Sequence, residues 1–270
     1  TRFMTMDWAV DVLKQEKASD RLNFETIYYM YANNDVEALS KTEVADEEKE
    51  LRSGVKWVSF KQKFFSYALI SKDNFNDAFV ELHTKSRPSN SRYQKSMSTI
   101  IDVPFDGLNE DNKIEMSYYF GPNSFKVMKQ YDLGLEEQIP LGGKLISWIN
   151  KYIVINVFNW LGHYGWSYGV VILILTLIIK ICLMPIAFKS YMSTAKMRVL
   201  KPEIDAINEK YPKQEDAMKK QQAIMDLYKK ADASPMSGCL PMLLQFPILI
   251  AIFRFFPSSI ELRQQSFLWA

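Results

Sequence analysis

Tyr168-Gly-Val-Val-Ile-Leu-Ile-Leu-Thr-Leu-Ile-Ile-Lys180-Ile-Cys-Leu-Met-Pro-Ile-Ala-Phe188 is the stretch on which the reading of the whole chain turns. Lys180 is its one charge. About 20 residues at ~1.5 Å each cross a hydrocarbon core of about 30 Å, so the segment 168–188 reads as a transmembrane helix. Lys180 falls about 18 Å in from Tyr168, past the midplane, with roughly 12 Å left before Phe188. A cation at such a depth costs about 2.5–3.5 kcal/mol on insertion scales and usually faces a cavity, a partner or a substrate path. Snorkelling to the headgroups is the alternative, and that distance strains a lysine stem.

The flanks set orientation. Between Lys189 and Asp232 there are ten Lys and Arg against seven Asp and Glu, and Lys189, Lys196, Arg198 and Lys201 crowd the end of the span. By the positive-inside rule this loop is cytoplasmic. Met197 to Tyr211 and Gln214 to Lys230 have helical composition around Tyr211-Pro212-Lys213, which predicts a hairpin with a thin apolar seam of Met218, Met225 and Tyr228. Gly238 to Pro257 is a second apolar stretch, interrupted by Pro241 and Pro247, that returns the chain outward. Its polar positions are Gln245 and Arg254, each able to bond a neighbouring helix or, for Arg254, to snorkel. Upstream, Lys144 to Leu161 is rich in Ile, Val, Trp and Phe, but Ser147, Asn150, Lys151, Asn156 and Asn159 break it often enough to favour an amphipathic helix in the membrane interface. The chain thus divides into residues 1–140, 144–161, 168–188, 189–237, 238–257 and 258–270.

The first of these segments is of another kind. Up to Pro140 there are 18 Lys and Arg against 23 Asp and Glu, and from Leu141 onward 15 against 8, so an acidic half joins a basic, apolar one. The averages of the 270 residues, 48% hydrophobic and 24% charged, hide this split while excluding disorder and fibrous proteins. Leu22 to Met30, Phe75 to Leu82, Arg92 to Val103 and Lys113 to Phe120 are strand-like runs separated by turn clusters, which predicts an antiparallel sheet or sandwich. Trp57, Phe60, Phe64 and Phe65 fall at helical spacing and predict a short helix running into a strand. Asp46 to Glu50 reads as a solvated helix or loop, and Ser124 to Tyr131 as a helix. The opening Thr1-Arg2-Phe3 and the closing Leu268-Trp269-Ala270 carry no targeting signal and read as the ends of an internal piece.

Chemistry of the enzymatic kind has little to stand on. Cys182 and Cys239 lie in or beside apolar runs without metal-ligand spacing, and His83 and His163 are isolated. There is no Gly-rich phosphate loop and no nucleophile elbow. No enzyme activity, cofactor or metal is expected. The hairpin lysines suit RNA only as a ribosome encounter, interleaved as they are with acids, and DNA is not expected.

Several words in the chain, in this order, resemble the YidC/Oxa/Alb family of membrane protein insertases, in the bacterial form with a large periplasmic domain. They are Tyr191-Met192-Ser193-Thr194-Ala195-Lys196-Met197-Arg198, Gly238-Cys239-Leu240-Pro241 with Gln245-Phe246-Pro247, and Ile260-Glu261-Leu262-Arg263-Gln264. The Trp57 segment and Phe120-Gly121-Pro122 resemble the end of that periplasmic domain. The resemblance implies a multidomain membrane protein of the bacterial inner membrane, with part of an antiparallel β-sandwich domain outside and part of an α-helical insertase core. It implies a hydrated, positively charged groove with Lys180 and Gln245 in it, Lys180 standing where the family usually has arginine. Lysine keeps the charge but lacks the planar fork. It further implies a cytoplasmic hairpin that recruits substrate through Lys196, Arg198 and Lys201. The partners implied are nascent membrane proteins and the lipid bilayer, with the Sec translocon and the ribosome left open. Two other readings also stay open: a transporter or channel subunit using Lys180 as counter-ion, and a membrane-tethered carbohydrate-binding sandwich.

Overall fold

The computed structural model describes residues 2–15, 25–40, 46–52, 54–75, 78–88, 90–105, 114–211, 216–231 and 240–265. The chain forms two compact units, Thr1–Leu141 with Arg254–Gln264, and Gly142–Phe253.

Among its described residues the first unit contains nine strands: β1 (Arg2–Leu13), β2 (Thr26–Tyr31), β3 (Val36–Ala38), β4 (Glu47–Leu51), β5 (Val55–Lys61), β6 (Phe65–Phe75), β7 (Phe79–Ser86), β8 (Tyr93–Phe105) and β9 (Met116–Pro122). They make two antiparallel sheets, ordered β1-β8-β7-β4 and β3-β2-β5-β6-β9. Inward residues of both sheets, among them Val12, Ile27, Phe60, Leu69, Leu82 and Ile101, form one buried core, and Trp8 stacks on Phe60 with ring centroids 4.2 Å apart. This is the sandwich expected of alternating strands that each hide one face.

Several boundaries differ from those expected. Trp57 to Phe65 is no helix but the end of β5 and the turn into β6. Helical spacing misleads there because β5 is buried on both faces: Val58 and Phe60 enter the core, while Trp57 donates its indole N–H to the Leu133 carbonyl at 2.8 Å and Ser59 its hydroxyl to Gln138 at 2.9 Å. Asp46 to Glu50 is likewise neither helix nor loop, since Glu47–Leu51 is an edge strand paired with β7. Its charges point outward at alternate positions, where they blunt the edge. The run Phe75 to Leu82 is split between β6 and β7. Of the run Leu22 to Met30, residues 22–24 lie outside the described residues, as does Lys113 before β9. Helix α1 (Phe125–Lys129) follows Ser124, and a 3-10 turn (Leu135–Gln138) follows Gly134. Gly134 has φ +68°, a backbone conformation that favours glycine, and a Cβ there would also have to displace the flexible end of Met30, 2.4 Å away.

The second unit is helical. Helix α2 (Lys144–Ile149) passes through a π-turn (Asn150–Val154) into α3 (Ile155–Gly162). Helix α4 (Tyr168–Val199) follows, then α5 (Lys201–Lys210), α6 (Ala217–Lys230) and α7 (Leu240–Ser258). Helix α4 does not stop at Phe188: past that residue no Pro or Gly occurs before Pro202, which sits in the first turn of α5. The hairpin is therefore α5 and α6. Its half-buried seam is Ile204 and Ile207 with Ile224, Leu227 and Tyr228, whereas Met218 and Met225 are exposed.

Candidate functional site

With 32 residues, α4 is about 48 Å long, more than the hydrocarbon core needs, so about a dozen residues project beyond it. The projecting part carries Lys189, Lys196 and Arg198 with no acid. Lys196 and Arg198 occupy the last turn, where cations offset the negative end of the helix dipole. Inside the span, Thr176 returns its hydroxyl to the Ile172 carbonyl at 2.8 Å, so this polar group adds no unmet donor to an apolar surface. Pro185 removes one backbone N–H within the helix.

Between the projecting part of α4 and the first half of α7 lies a groove of about 620 Å³. Ala187, Ser190, Tyr191, Thr194 and Arg198 line it from α4, and Pro241, Met242, Gln245, Phe246 and Leu249 from α7. Their spacing of three and four residues puts each set on one helix face. Ser190 is buried, and Thr194 donates to its carbonyl at 3.0 Å. One wall is thus polar and cationic and the other mostly apolar with one amide, a lining suited to a chain that is itself part polar and part apolar.

Of the expected residues, Gln245 and Arg198 meet in this groove. Lys180 does not line it; it is exposed on α4, seven residues (about 10 Å) before Ala187. Lys196 and Lys201 are exposed outside the groove lining. Ser190, Tyr191 and Thr194 are lining residues that sequence reasoning passed over. Their signal was the i, i+4 pattern Ala187, Tyr191, Ala195 beside Ser190, Thr194, Arg198, visible only if the helix is run on past Phe188.

A second surface belongs to α2 and α3. Ile149, Val154, Ile155, Phe158 and Leu161 are buried on one side, and Phe158 stacks on Tyr168 at the start of α4 with centroids 5.6 Å apart. On the other side Leu145, Trp148, Tyr152, Trp160 and Tyr164 are 54–64% exposed. Twelve α-helical residues separate Trp148 from Trp160 by about 120° beyond whole turns, at ~100° per residue. The π-turn accommodates roughly one extra residue and removes about 100° of this, so the two tryptophans share a face.

In the sandwich, Val12, Leu13, Glu25, Phe65 and Gln94 with their neighbours border a cleft of about 30 Å³. Among the described residues this is room for about one water, far below the ~300 Å³ of a small-molecule site. Also among the described residues, no cluster of three or more His, Cys, Asp or Glu could hold a metal ion. Titration is perturbed at the sandwich edge, where the Ser96 hydroxyl and then Arg87 hold the Asp11 carboxyl below its ordinary value. Burial pushes the Tyr28 and Tyr119 phenols up to about 12.

A two-sheet antiparallel domain followed by two helices of membrane-spanning length and hydropathy defines a membrane protein with an extramembrane sandwich domain. Residues 3–155 match the family model described as the YidC periplasmic domain, and residues 160–270 match that of the 60Kd inner membrane protein. The chain belongs to the YidC family of inner-membrane proteins with a periplasmic domain. It is 46% identical over 281 residues to a protein of Parabacteroides distasonis, covering 100% of this chain and 43% of that relative. A Bacteroides fragilis protein is 47% identical over 277 residues, covering 100% and 44%, and one from Porphyromonas gingivalis is 40% identical over 276 residues, covering 98% and 43%. All three relatives are named membrane protein insertase YidC. The chain spans less than half the length of these curated relatives.

Proposed function

We propose that this chain is the part of an insertase that receives integral membrane proteins and releases them into lipid, helping them fold, and that the groove between α4 and α7 is where the polar end of a substrate first enters. The observation that carries this reading is the groove's composition: Arg198, Ser190, Thr194 and Gln245 offer charge and hydrogen bonds beside Met242, Phe246 and Leu249. A polar tail entering apolar surroundings without partners costs several kcal/mol per group, and such a lining reduces that cost. Lys180, one level deeper in the span, then attracts an acidic tail through a hydrated path, as the exposure of its side chain on α4 allows. The apolar segment of the substrate moves sideways into lipid, where burial of about 20 apolar residues drives the step. No covalent bond is made or broken, so the action is not enzymatic and asks for no cofactor.

Orientation follows from charge. The basic α5 and α6 hairpin, with Lys196, Arg198 and Lys201 at its root, lies in the cytoplasm and recruits nascent chains, with ribosome and Sec translocon as further partners. The sandwich lies in the periplasm. The assignment of Arg254–Gln264 to the same compact unit as the sandwich supports an outside, inside, outside path, because it keeps the far end of α7 with that domain. The exposed row Leu145, Trp148, Tyr152, Trp160 and Tyr164 rests in the headgroup region, where aromatic rings are favoured.

Reconstitution of the full-length parent in liposomes tests the proposal. A short single-span substrate should become protected from protease in its presence and not in its absence. Solute flux without protection would instead favour the transporter reading.

A further inference from the structure

The segment that follows α7 ends in the sandwich unit in a manner that its apolar character does not explain. Ser258 closes the helix by donating its hydroxyl to the carbonyls of Arg254 at 3.0 Å and Phe255 at 2.9 Å. Ser259 and a single 3-10 turn (Ile260–Leu262) follow. Both oxygens of Glu261 are then occupied by hydroxyls from different parts of the unit. Oε2 accepts from Ser259 at 2.7 Å, and Oε1 accepts from Ser124, at the foot of the sandwich, at 2.8 Å. Ser124 and Ser259 are themselves buried, so each hydroxyl needs a partner once water is excluded. Two residues on, the guanidinium of Arg263 stands 5.3 Å from the centre of the Phe64 ring, within cation-π range.

Both receiving groups sit on one corner that is hydrogen-bonded independently of the segment after α7. Asn123 holds the β5–β6 turn with all of its groups: its backbone N–H donates to the Phe64 carbonyl at 2.8 Å and its Nδ2 to the Gln62 carbonyl at 2.7 Å, while Oδ1 accepts from Ser66 at 2.6 Å. Phe64 and Ser124 are thereby set next to a residue with no freedom to move, and a preorganised receptor loses little entropy on binding.

We infer that Glu261 and Arg263 form a clasp that fixes the outer end of α7 to the β5–β6 corner of the sandwich through Ser124 and Phe64. All four residues belong to one compact unit, so the clasp holds Arg254–Gln264 to the strands within that unit. The inference goes beyond insertion and does not depend on it, since it concerns how one polypeptide holds its own parts.

Trypsin cleaves after Arg263 only when the clasp opens, because a protease needs the segment drawn out from its contacts. In the full-length parent in detergent, without any substrate, Ser124→Ala and Glu261→Ala should each speed this cleavage on the order of tenfold, as expected for loss of a charge-assisted hydrogen bond. The double variant should be no faster than Glu261→Ala alone, because both remove the same bond. Phe64→Leu, which keeps apolar bulk but not the ring face, should give a smaller rise of roughly two- to fivefold, and it serves where the other variants fail to assemble. Unchanged cleavage in the variants that assemble, or fully multiplicative effects of Ser124→Ala and Glu261→Ala, would overturn the clasp. Because no substrate is present, these outcomes are separate from whether the protein inserts others.

Discussion

The β5–β6 hairpin and helix α4 both carry large apolar side chains, and they dispose of them in opposite ways. Trp57, Val58, Phe60 and Leu69 are completely buried by protein, whereas Leu173, Leu177, Ile181, Met184 and Phe188 on α4 are 54–64% exposed. A soluble protein rarely leaves so long a contiguous apolar surface uncovered. Similar side chains thus suit two different apolar surroundings: in the hairpin the other sheet and a covering loop, on α4, by our proposal, lipid. The first is a jigsaw in which shape counts. The second is a solvent that fits any shape.

That contrast breaks most directly by truncation. Phe60→Ala should cost the sandwich about 3–5 kcal/mol, as transfer and cavity terms add in a close-packed core. Leu177→Ala, at a side chain 57% exposed, should change stability by no more than ~0.5 kcal/mol. Denaturant unfolding of the sandwich, followed by tryptophan emission, measures the first, and loss of helical circular dichroism on denaturing the Leu177→Ala protein measures the second. Equal costs would mean that α4 is covered by protein and not by lipid.

Lys180 sharpens the comparison, being an exposed cation within the apolar stretch 168–188 of α4. With substrates that differ only in the charge of the translocated tail, Lys180→Ala and Lys180→Glu should lower insertion of the acidic one on the order of tenfold while sparing the neutral one. Lys180→Arg should retain activity. A lysine that merely snorkels predicts equal activity of Lys180→Ala across the series, which complementation by the full-length parent would reveal.

A smaller effect is expected at the interface helix. Inserting one alanine after Ile155, in the plain α-helical part, should turn Trp160 about 100° away from Trp148. Lipid-borne quenchers should reach both tryptophans in the parent and only one after the insertion. Equal quenching in both proteins would show that the helix does not use this face to meet lipid.

The smallest effect belongs to the aqueous edge of the sandwich. Asp11 accepts from the Ser96 hydroxyl and from Arg87 Nη2 at 3.1 Å, joining β1 to β7 and β8. Its carboxyl is lowered in the folded state. Its contribution is therefore complete above its unfolded value of about 3.9 and is lost as pH falls through the lower folded value. Because the group is exposed, the stability difference between parent and Asp11→Asn should be slight at pH 6 and should disappear as the pH falls through the lowered folded value, by denaturant titration at each pH.

Legibility in the sequence followed the same divide. Helix α4 could be read from Tyr168 to Phe188 because lipid asks only for a contiguous apolar composition. Its continuation to Val199 was less visible, since Lys189, Lys196 and Arg198 resemble a loop until the helical spacing of Ser190, Thr194 and Arg198 is noticed. In the sandwich, β8 and β9 emerged near their true places, but β5 was concealed by burial on both faces and β4 by its acids. Strand β1 carries Met4, Met6, Trp8, Val10 and Val12 at every second position, a period-two signal muted by the weak strand preference of methionine.

What the sequence offered unaided was therefore a class for each part: an acidic domain of strands, which the two sheets bear out, and an apolar half with two helices of spanning length, while the interfacial and cytoplasmic placements belong to the proposal. Each of these depends on composition or period within a short window, which is local information. Only the tertiary structure decided which residues meet. It brought Arg198 of α4 and Gln245 of α7 to one groove while leaving Lys180 outside its lining, and it set Glu261 against Ser124. Contacts between residues far apart in the chain depend on how whole elements pack and at what phase they face each other, and no local pattern carries that phase.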